Sequence, residues 1–176
     1  MKWRIASVED FSEDDLAAVY EALSPSRKAH IDAFRHPGAK KQSLTGEALL
    51  RRLLGNDAII KRLPSGQPVL SDGSAFISIA HCDDYVVCAV SEKPVGIDIE
   101  KIRPVKPGMA EKVCTAEELQ YVQQDETRFF EIWTAKEAYF KMQGTGITNF
   151  QAVNTLTLPR KVFRQGDYIV TFVYTE

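Results

Sequence analysis

The 176-residue sequence has only three cysteines, Cys82, Cys88 and Cys114, and three cannot all pair. Their spacing fits no zinc motif, so neither a disulfide framework nor a structural metal is expected to hold the chain together. The reducing cytoplasm is the simplest compartment for such a chain. No apolar run approaches the length of a membrane span, and Met1-Lys2-Trp3-Arg4-Ile5 lacks the apolar stretch of a secretory leader, so no membrane association is expected. Basic charge is not in excess either. Lys plus Arg is 22 against 24 for Asp plus Glu, and a net charge of −2 argues against a dedicated nucleic-acid binder. What remains is an ordinary soluble composition, 44% hydrophobic and 26% charged, in a chain long enough for one large domain or two small lobes.

Two segments carry the chemistry. Val95-Gly96-Ile97-Asp98-Ile99-Glu100 alternates apolar and acidic residues with the period of a strand, which places Ile97 and Ile99 on one face and Asp98 and Glu100 on the other. The acidic face is expected to be accessible, with Gly96 leaving room beside the backbone. Trp133-Thr134-Ala135-Lys136-Glu137-Ala138-Tyr139-Phe140-Lys141 has helical character, and Glu137 and Lys141, four apart, share a face. If strand and helix pack together, three carboxylates and one ammonium converge. Such a group suits a divalent cation that holds phosphate oxygens. Taken separately, a strand with Asp-x-Glu on its outer face is usually just solvated, and Glu137 with Lys141 would be a surface ion pair.

The remaining punctuation frames these segments. Trp3 to Ser7 reads as a short strand. Helices are expected from the capped start Ser12-Glu13-Asp14-Asp15, from Ser24-Pro25, and from about Lys40 to Leu54, with His36-Pro37-Gly38 as a break. Leu63 to Pro68 is turn material, and Phe76–His81 and Tyr85–Val90 form a hairpin around Cys82-Asp83-Asp84. Thr115-Ala116-Glu117-Glu118 fits a capping box, and a largely buried helix spans about Thr127 to Gln143. Strands are expected over Thr155–Leu158, Lys161–Arg164 and Tyr168–Tyr174. The spacing of Asp84-Tyr85-Val86-Val87 and Val90 is echoed by Asp167-Tyr168-Ile169-Val170 and Val173. The echo agrees with an α+β chain of two similar lobes, 1–94 and 95–176, each with helices packed on a small antiparallel sheet.

The two signature segments, in this order, resemble the motifs of the 4′-phosphopantetheinyl transferases. The resemblance is to the larger, pseudo-dimeric branch typified by the surfactin-synthetase activator. Leu23-Ser24-Pro25, Ser43-Leu44-Thr45-Gly46, Gly66-Gln67-Pro68 and Ile77 to Val90 around His81 fall in the family's order, so the similarity runs from roughly Leu23 to Phe150. It implies transfer of the phosphopantetheine arm of coenzyme A to a serine of an acyl or peptidyl carrier protein, releasing 3′,5′-ADP. It also implies magnesium, or manganese in its place, held by Asp98, Glu100 and Glu137, with Lys141 beside the phosphates. Glu137 is the first choice for the base that takes the serine proton and Glu100 the second. His81, Arg27 and Ser43 are expected on the coenzyme A phosphates.

This chain departs from the family at two places. Ala80 stands where a serine often precedes the histidine, and Gln67 stands where the Gly-x-Pro turn often carries a basic residue; Lys40 and Lys41 are the candidates to replace those contacts. The basic and apolar segment Lys101 to Met109 is expected to help dock the carrier, through Arg103 and Lys106. Two fused lobes would make a monomer sufficient. The alternatives are a metal-dependent phosphodiesterase or nuclease, which also sets acids and a lysine around a cation, and a non-catalytic relative that binds carrier proteins or nucleotides.

Overall fold

In the computed structural model, which describes all 176 residues, the chain opens with strand β1 (Lys2–Ser7) and three helices, α1 (Glu13–Glu21), α2 (Pro25–Asp32) and α3 (Pro37–Leu54). Two hairpins come next, β2 (Ile60–Arg62) with β3 (Pro68–Leu70), and β4 (Phe76–Cys82) with β5 (Tyr85–Ser91). After β6 (Val95–Lys101) come helices α4 (Met109–Val113), α5 (Ala116–Val122) and α6 (Glu126–Gln143), then strands β7 (Arg160–Gln165) and β8 (Tyr168–Tyr174). The class is α+β, with small antiparallel sheets and helices. No helix is long and apolar enough to cross a membrane.

Local chemistry sets the helix starts. Ser12 and Thr115 each accept a backbone N–H at the third helical position while Asp15 and Glu118 reach back to the cap, so α1 and α5 begin with capping boxes. Ser24 and Asp125 cap α2 and α6 by accepting from Arg27 N–H and Arg128 N–H. Pro37 cannot prolong α2, yet it opens α3, because a proline without an N–H is suited to the first turn and His36 supplies the cap. The α3 helix therefore starts earlier than the position of Lys40 suggests.

Two three-stranded sheets share one plan, with orders β1-β5-β4 and β6-β8-β7. In each, the first strand pairs with the last, and the last also forms a hairpin with its predecessor. The echoed residues occupy the central strands: Val90 lies opposite Lys2, and Val173 opposite Gly96. On the outer face of the first sheet, Leu44, Leu49 and Leu50 of α3 pack with Val86 and Cys88. The inner faces meet through Val87 and Ala89 against Ile97, Ile99, Val170 and Phe172. Each fully buried large aliphatic or aromatic residue here contributes roughly 1.5–3 kcal/mol. Against the other side of the second sheet, Ala135 and Ala138 of α6 meet Val173, and Phe129, Phe130 and Ile132 extend this core towards Ile169.

Two expectations are corrected. The acidic face of β6 is not open: α6 covers it, and Asp98 is only 5% exposed. Thr155–Thr157 is a 3-10 turn, with Asn154 accepting from Leu156 N–H at its start. Its β-branched threonines suggest a strand, but Asn154 at the cap and Pro159 beyond it favour a turn.

Lys136 lies within the second signature yet is fully buried. Its ammonium lies 2.7 Å from Glu118 of α5 and donates to the carbonyls of Phe150, at 2.8 Å, and Val153, at 2.5 Å. Burial alone would raise the Glu118 carboxyl, but Lys136 and hydrogen bonds from Thr115 and Thr155 outweigh it and lower its pKa. This pair anchors α6 to α5 and to the segment after it. Lys136→Ala should cost about 3–5 kcal/mol, because Glu118 is left buried and uncompensated. Chemical denaturation of the variant measures that loss.

Candidate active site

Gly96 decides how closely the signature strand and helix can approach. A Cβ at this position would overlap the carbonyl oxygen of Ala138 and lie 2.9 Å from the Met142 nitrogen. With glycine there, α6 rests on the backbone of β6, and a hydrogen bond of 2.6 Å between the buried hydroxyls of Thr134 and Thr171 fastens α6 to β8 beside it. Thr171 is the register partner of Asp98.

This approach brings the Lys141 ammonium to 2.6 Å from Asp98 Oδ1. Lys141 thus pairs across to the strand rather than along the helix to Glu137. The second oxygen, Asp98 Oδ2, is buried without a hydrogen-bond partner. Burial pushes the Asp98 carboxyl up, and Lys141 offsets only part of that. Glu137 sits one helical turn before Lys141, half-buried, and is pushed up to about 7 by burial and then by the negative charge of Asp98; Lys141 opposes this and Glu100 adds to it. Asp98, Glu100 and Glu137 therefore share one electrostatic field. Glu100 is turned towards Arg103, whose Nη1 donates to Oε2 at 2.9 Å, and no three His, Cys, Asp or Glu side chains stand as a ready-made ligand group. The orphaned Asp98 Oδ2 and the all-oxygen donor set nonetheless suit a hard cation.

Two cavities open beside this cluster. The smaller, about 290 Å³, is lined by Glu137, Lys141, Gln67 and Ser78 among others. The larger, about 860 Å³, is lined by Arg27, Ser43 and His81, together with His30 and Phe34. Arg27 is buried: Nε donates to Glu47 at 2.9 Å and Nη2 to the Ser43 hydroxyl at 2.7 Å. Partial burial lowers the pKa of His81, and the positive charges of Lys141 and Arg62 lower it further. The seven site residues expected from the sequence thus divide into an acidic cluster, with Lys141, and a basic wall.

Lys40 and Lys41 fall outside both groups, because they pair with Asp32 at 2.9 Å and Glu9 at 2.6 Å on the surface. Gln67 plays a structural part, since its Nε2 donates to the Lys141 carbonyl at 3.1 Å and so caps the end of α6. Its side-chain oxygen also fills the space beside Gly144, whose φ of 68° lies in the left-handed region. Arg62 carries no signal in the sequence. It ends the short strand before the turn-rich stretch with no motif around it, and only its place on the walls of both cavities sets it apart.

Residues 94–171 match the sequence model of the 4′-phosphopantetheinyl transferase superfamily. The chain is 32% identical to the 4′-phosphopantetheinyl transferase psf-1 of Bacillus pumilus, over 72% of this chain and 60% of that protein. It is 35% identical to the 4′-phosphopantetheinyl transferase gsp of Aneurinibacillus migulanus, over 60% of this chain and 49% of that protein. It is 28% identical to the 4′-phosphopantetheinyl transferase HetI of Nostoc sp., over 89% of this chain and 73% of that protein. The chain thus spans between about half and three-quarters of the length of these curated relatives. It is similar to the 4′-phosphopantetheinyl transferases, through the domain matched at residues 94–171 and through these relatives.

Proposed function

We propose that the protein transfers the 4′-phosphopantetheine arm of coenzyme A to a serine of an acyl or peptidyl carrier protein, releasing 3′,5′-ADP. The observation that carries this reading is the Lys141–Asp98 pair with Glu137 one turn away, where Glu137 and Lys141 line a cavity that shares Arg62, Gly66 and Ile79 with a second one walled by Arg27, Ser43 and His81. The larger cavity has the size and the cationic lining for a phosphorylated nucleotide, and the relatives are named for transfer of a phosphopantetheinyl group. The reading is tested by whether an apo carrier protein gains the arm from coenzyme A.

Asp98, Glu100 and Glu137 would hold magnesium, or manganese in its place. When bound, the cation would neutralise charge on the pyrophosphate oxygens. The chain's own residues do the rest. Lys141 places an ammonium near the phosphates, and Arg27 and His81 hold the nucleotide end. Glu137, with its raised pKa, is the base that takes the serine proton, with Glu100 as the second candidate. The serine oxygen bonds to the phosphorus bearing the pantetheine arm. The bridging P–O bond breaks, and its electron pair leaves on 3′,5′-ADP.

The matching strand order, the equivalent register at Val90 and Val173, and an 18-residue helix against each sheet support two lobes, 1–94 and 95–176, arranged as a pseudo-dimer. A monomer in the cytoplasm suffices for the activity. The segment after β6 is the proposed carrier dock. Arg103 is engaged there with Glu100 and lies over the Phe130 ring, so changing it would disturb the site as well. Lys106 has no such tie and gives the cleaner test. Lys106→Glu should raise the KM for carrier protein about tenfold with kcat little changed, since a reversed charge at a docking surface weakens encounter rather than chemistry. An unchanged KM would remove this segment from the dock.

A further inference from the structure

Arg62 belongs to neither signature, yet it stands where the two cavities meet and lines both, together with Gly66 and Ile79. Its guanidinium is only partly used. Nη1 donates to the Gly66 carbonyl at 3.2 Å, Nη2 reaches Glu47 at 3.5 Å, and Nε is buried without a partner. Glu47 is already engaged by Arg27 through the same oxygen, so one carboxylate serves two guanidiniums. Lys141 and His81 line the cavities on either side. A passage with surplus positive charge and an unsatisfied buried donor is suited to an anion. The other candidates are committed elsewhere: Lys40 to Asp32, Lys41 to Glu9, and the Gln67 amide to the end of α6.

We propose that Arg62 holds the pyrophosphate of coenzyme A in the passage between the two cavities, in place of contacts that Ala80 and Gln67 do not offer. The inference rests on the transferase reading. A long ligand with its nucleotide in the larger cavity and its reacting end at Glu137 must thread its phosphate linkage past Arg62. A planar guanidinium meets phosphate oxygens through parallel donors, which a lysine ammonium does only as a point charge. Arg62 therefore acts on binding, while proton transfer is left to the acidic cluster.

The test is calorimetric titration of coenzyme A and of dephospho-coenzyme A into the whole chain with magnesium present, for wild type, Arg62→Gln and Arg62→Lys. Thermal midpoints and steady-state kinetics on a carrier protein accompany it. Loss of a charge-assisted contact should weaken binding of both ligands roughly ten- to hundredfold in Arg62→Gln. The same variant should raise the KM for coenzyme A with kcat nearly unchanged, and Arg62→Lys should recover part of the affinity. Unaltered affinity in Arg62→Gln, with wild type binding normally, overturns the inference and leaves the transferase reading standing. A loss confined to coenzyme A would move the contact to the 3′-phosphate and overturn the pyrophosphate assignment. Weakened binding with a lowered thermal midpoint and no recovery in Arg62→Lys would make Arg62 a brace only. Wild type that binds neither ligand overturns the transferase reading and this inference together.

Discussion

Glu137→Gln should abolish transfer and leave the protein folded. The substitution keeps the size of the side chain but removes the group that accepts the serine proton, and general-base losses run to about 10²–10⁴-fold in rate. The same change should raise the thermal midpoint of the metal-free protein, because it removes a carboxylate whose ionisation is opposed by burial and by Asp98. Glu137 has a folded pKa of about 7 against an ordinary 4.5, so the folded state binds its proton more tightly than the unfolded state. Its stabilising contribution is full below pH 4.5 and is lost as pH rises through about 7. Wild type should therefore lose stability across that window, and Glu137→Gln should lose less. Added magnesium should stabilise the wild type near neutral pH, since a cation that binds only the folded carboxylates shifts the equilibrium towards them. Thermal melts against pH, with and without magnesium, separate these effects from a simple failure to fold. A flat pH response in wild type would contradict the buried-acid account of Glu137.

Gly96→Ala should be among the most damaging single changes in the second sheet. The added methyl would overlap the Ala138 carbonyl oxygen, which is backbone and cannot rotate away. Either α6 lifts from β6 or the strand is displaced, at a cost of about 3 kcal/mol or more. For a chain of this size that corresponds to a fall of about 10 °C in thermal midpoint. Function should suffer beyond stability, because any separation of helix and strand pulls Lys141 away from Asp98, now 2.6 Å apart. Gly46→Ala on α3 is the useful contrast: its Cβ would meet side chains and no backbone, Ile79 at 3.2 Å and Val86 at 3.7 Å, and a milder loss is expected. Equal losses at the two glycines would argue against the backbone approach at Gly96 as the special feature.

Much of this architecture is legible in the chain. The Asp98 strand and the β8 strand show their period directly, and the helix expected from about Thr127 to Gln143 is α6. Of the side chains expected at the site, Glu137 and Lys141 line one cavity and Arg27, Ser43 and His81 the other, while Asp98 is buried against Lys141 and Glu100 pairs with Arg103. What escaped the sequence is what depends on distant partners. Nothing local in the sequence signals the burial of Lys136, since its partner Glu118 lies on another helix. The burial of Asp98 follows from the contact at Gly96, and a glycine in a strand signals close approach without naming what approaches. Arg62 gains its place only where two cavities join, which no periodicity encodes. Lys40 and Lys41 look like spare cations in the sequence, and Asp32 and Glu9 take them up.

The transferase reading rests on Asp98, Glu137 and Lys141 acting together as a site for moving phosphopantetheine. Its most direct measurement is the intact mass of an apo acyl or peptidyl carrier protein after incubation with this protein, coenzyme A and magnesium, alongside Glu137→Gln and a metal-depleted reaction. The expected result is a gain of one phosphopantetheine on the carrier, lost in both controls. No gain across several carriers with wild-type protein, or an undiminished gain with Glu137→Gln, would contradict it.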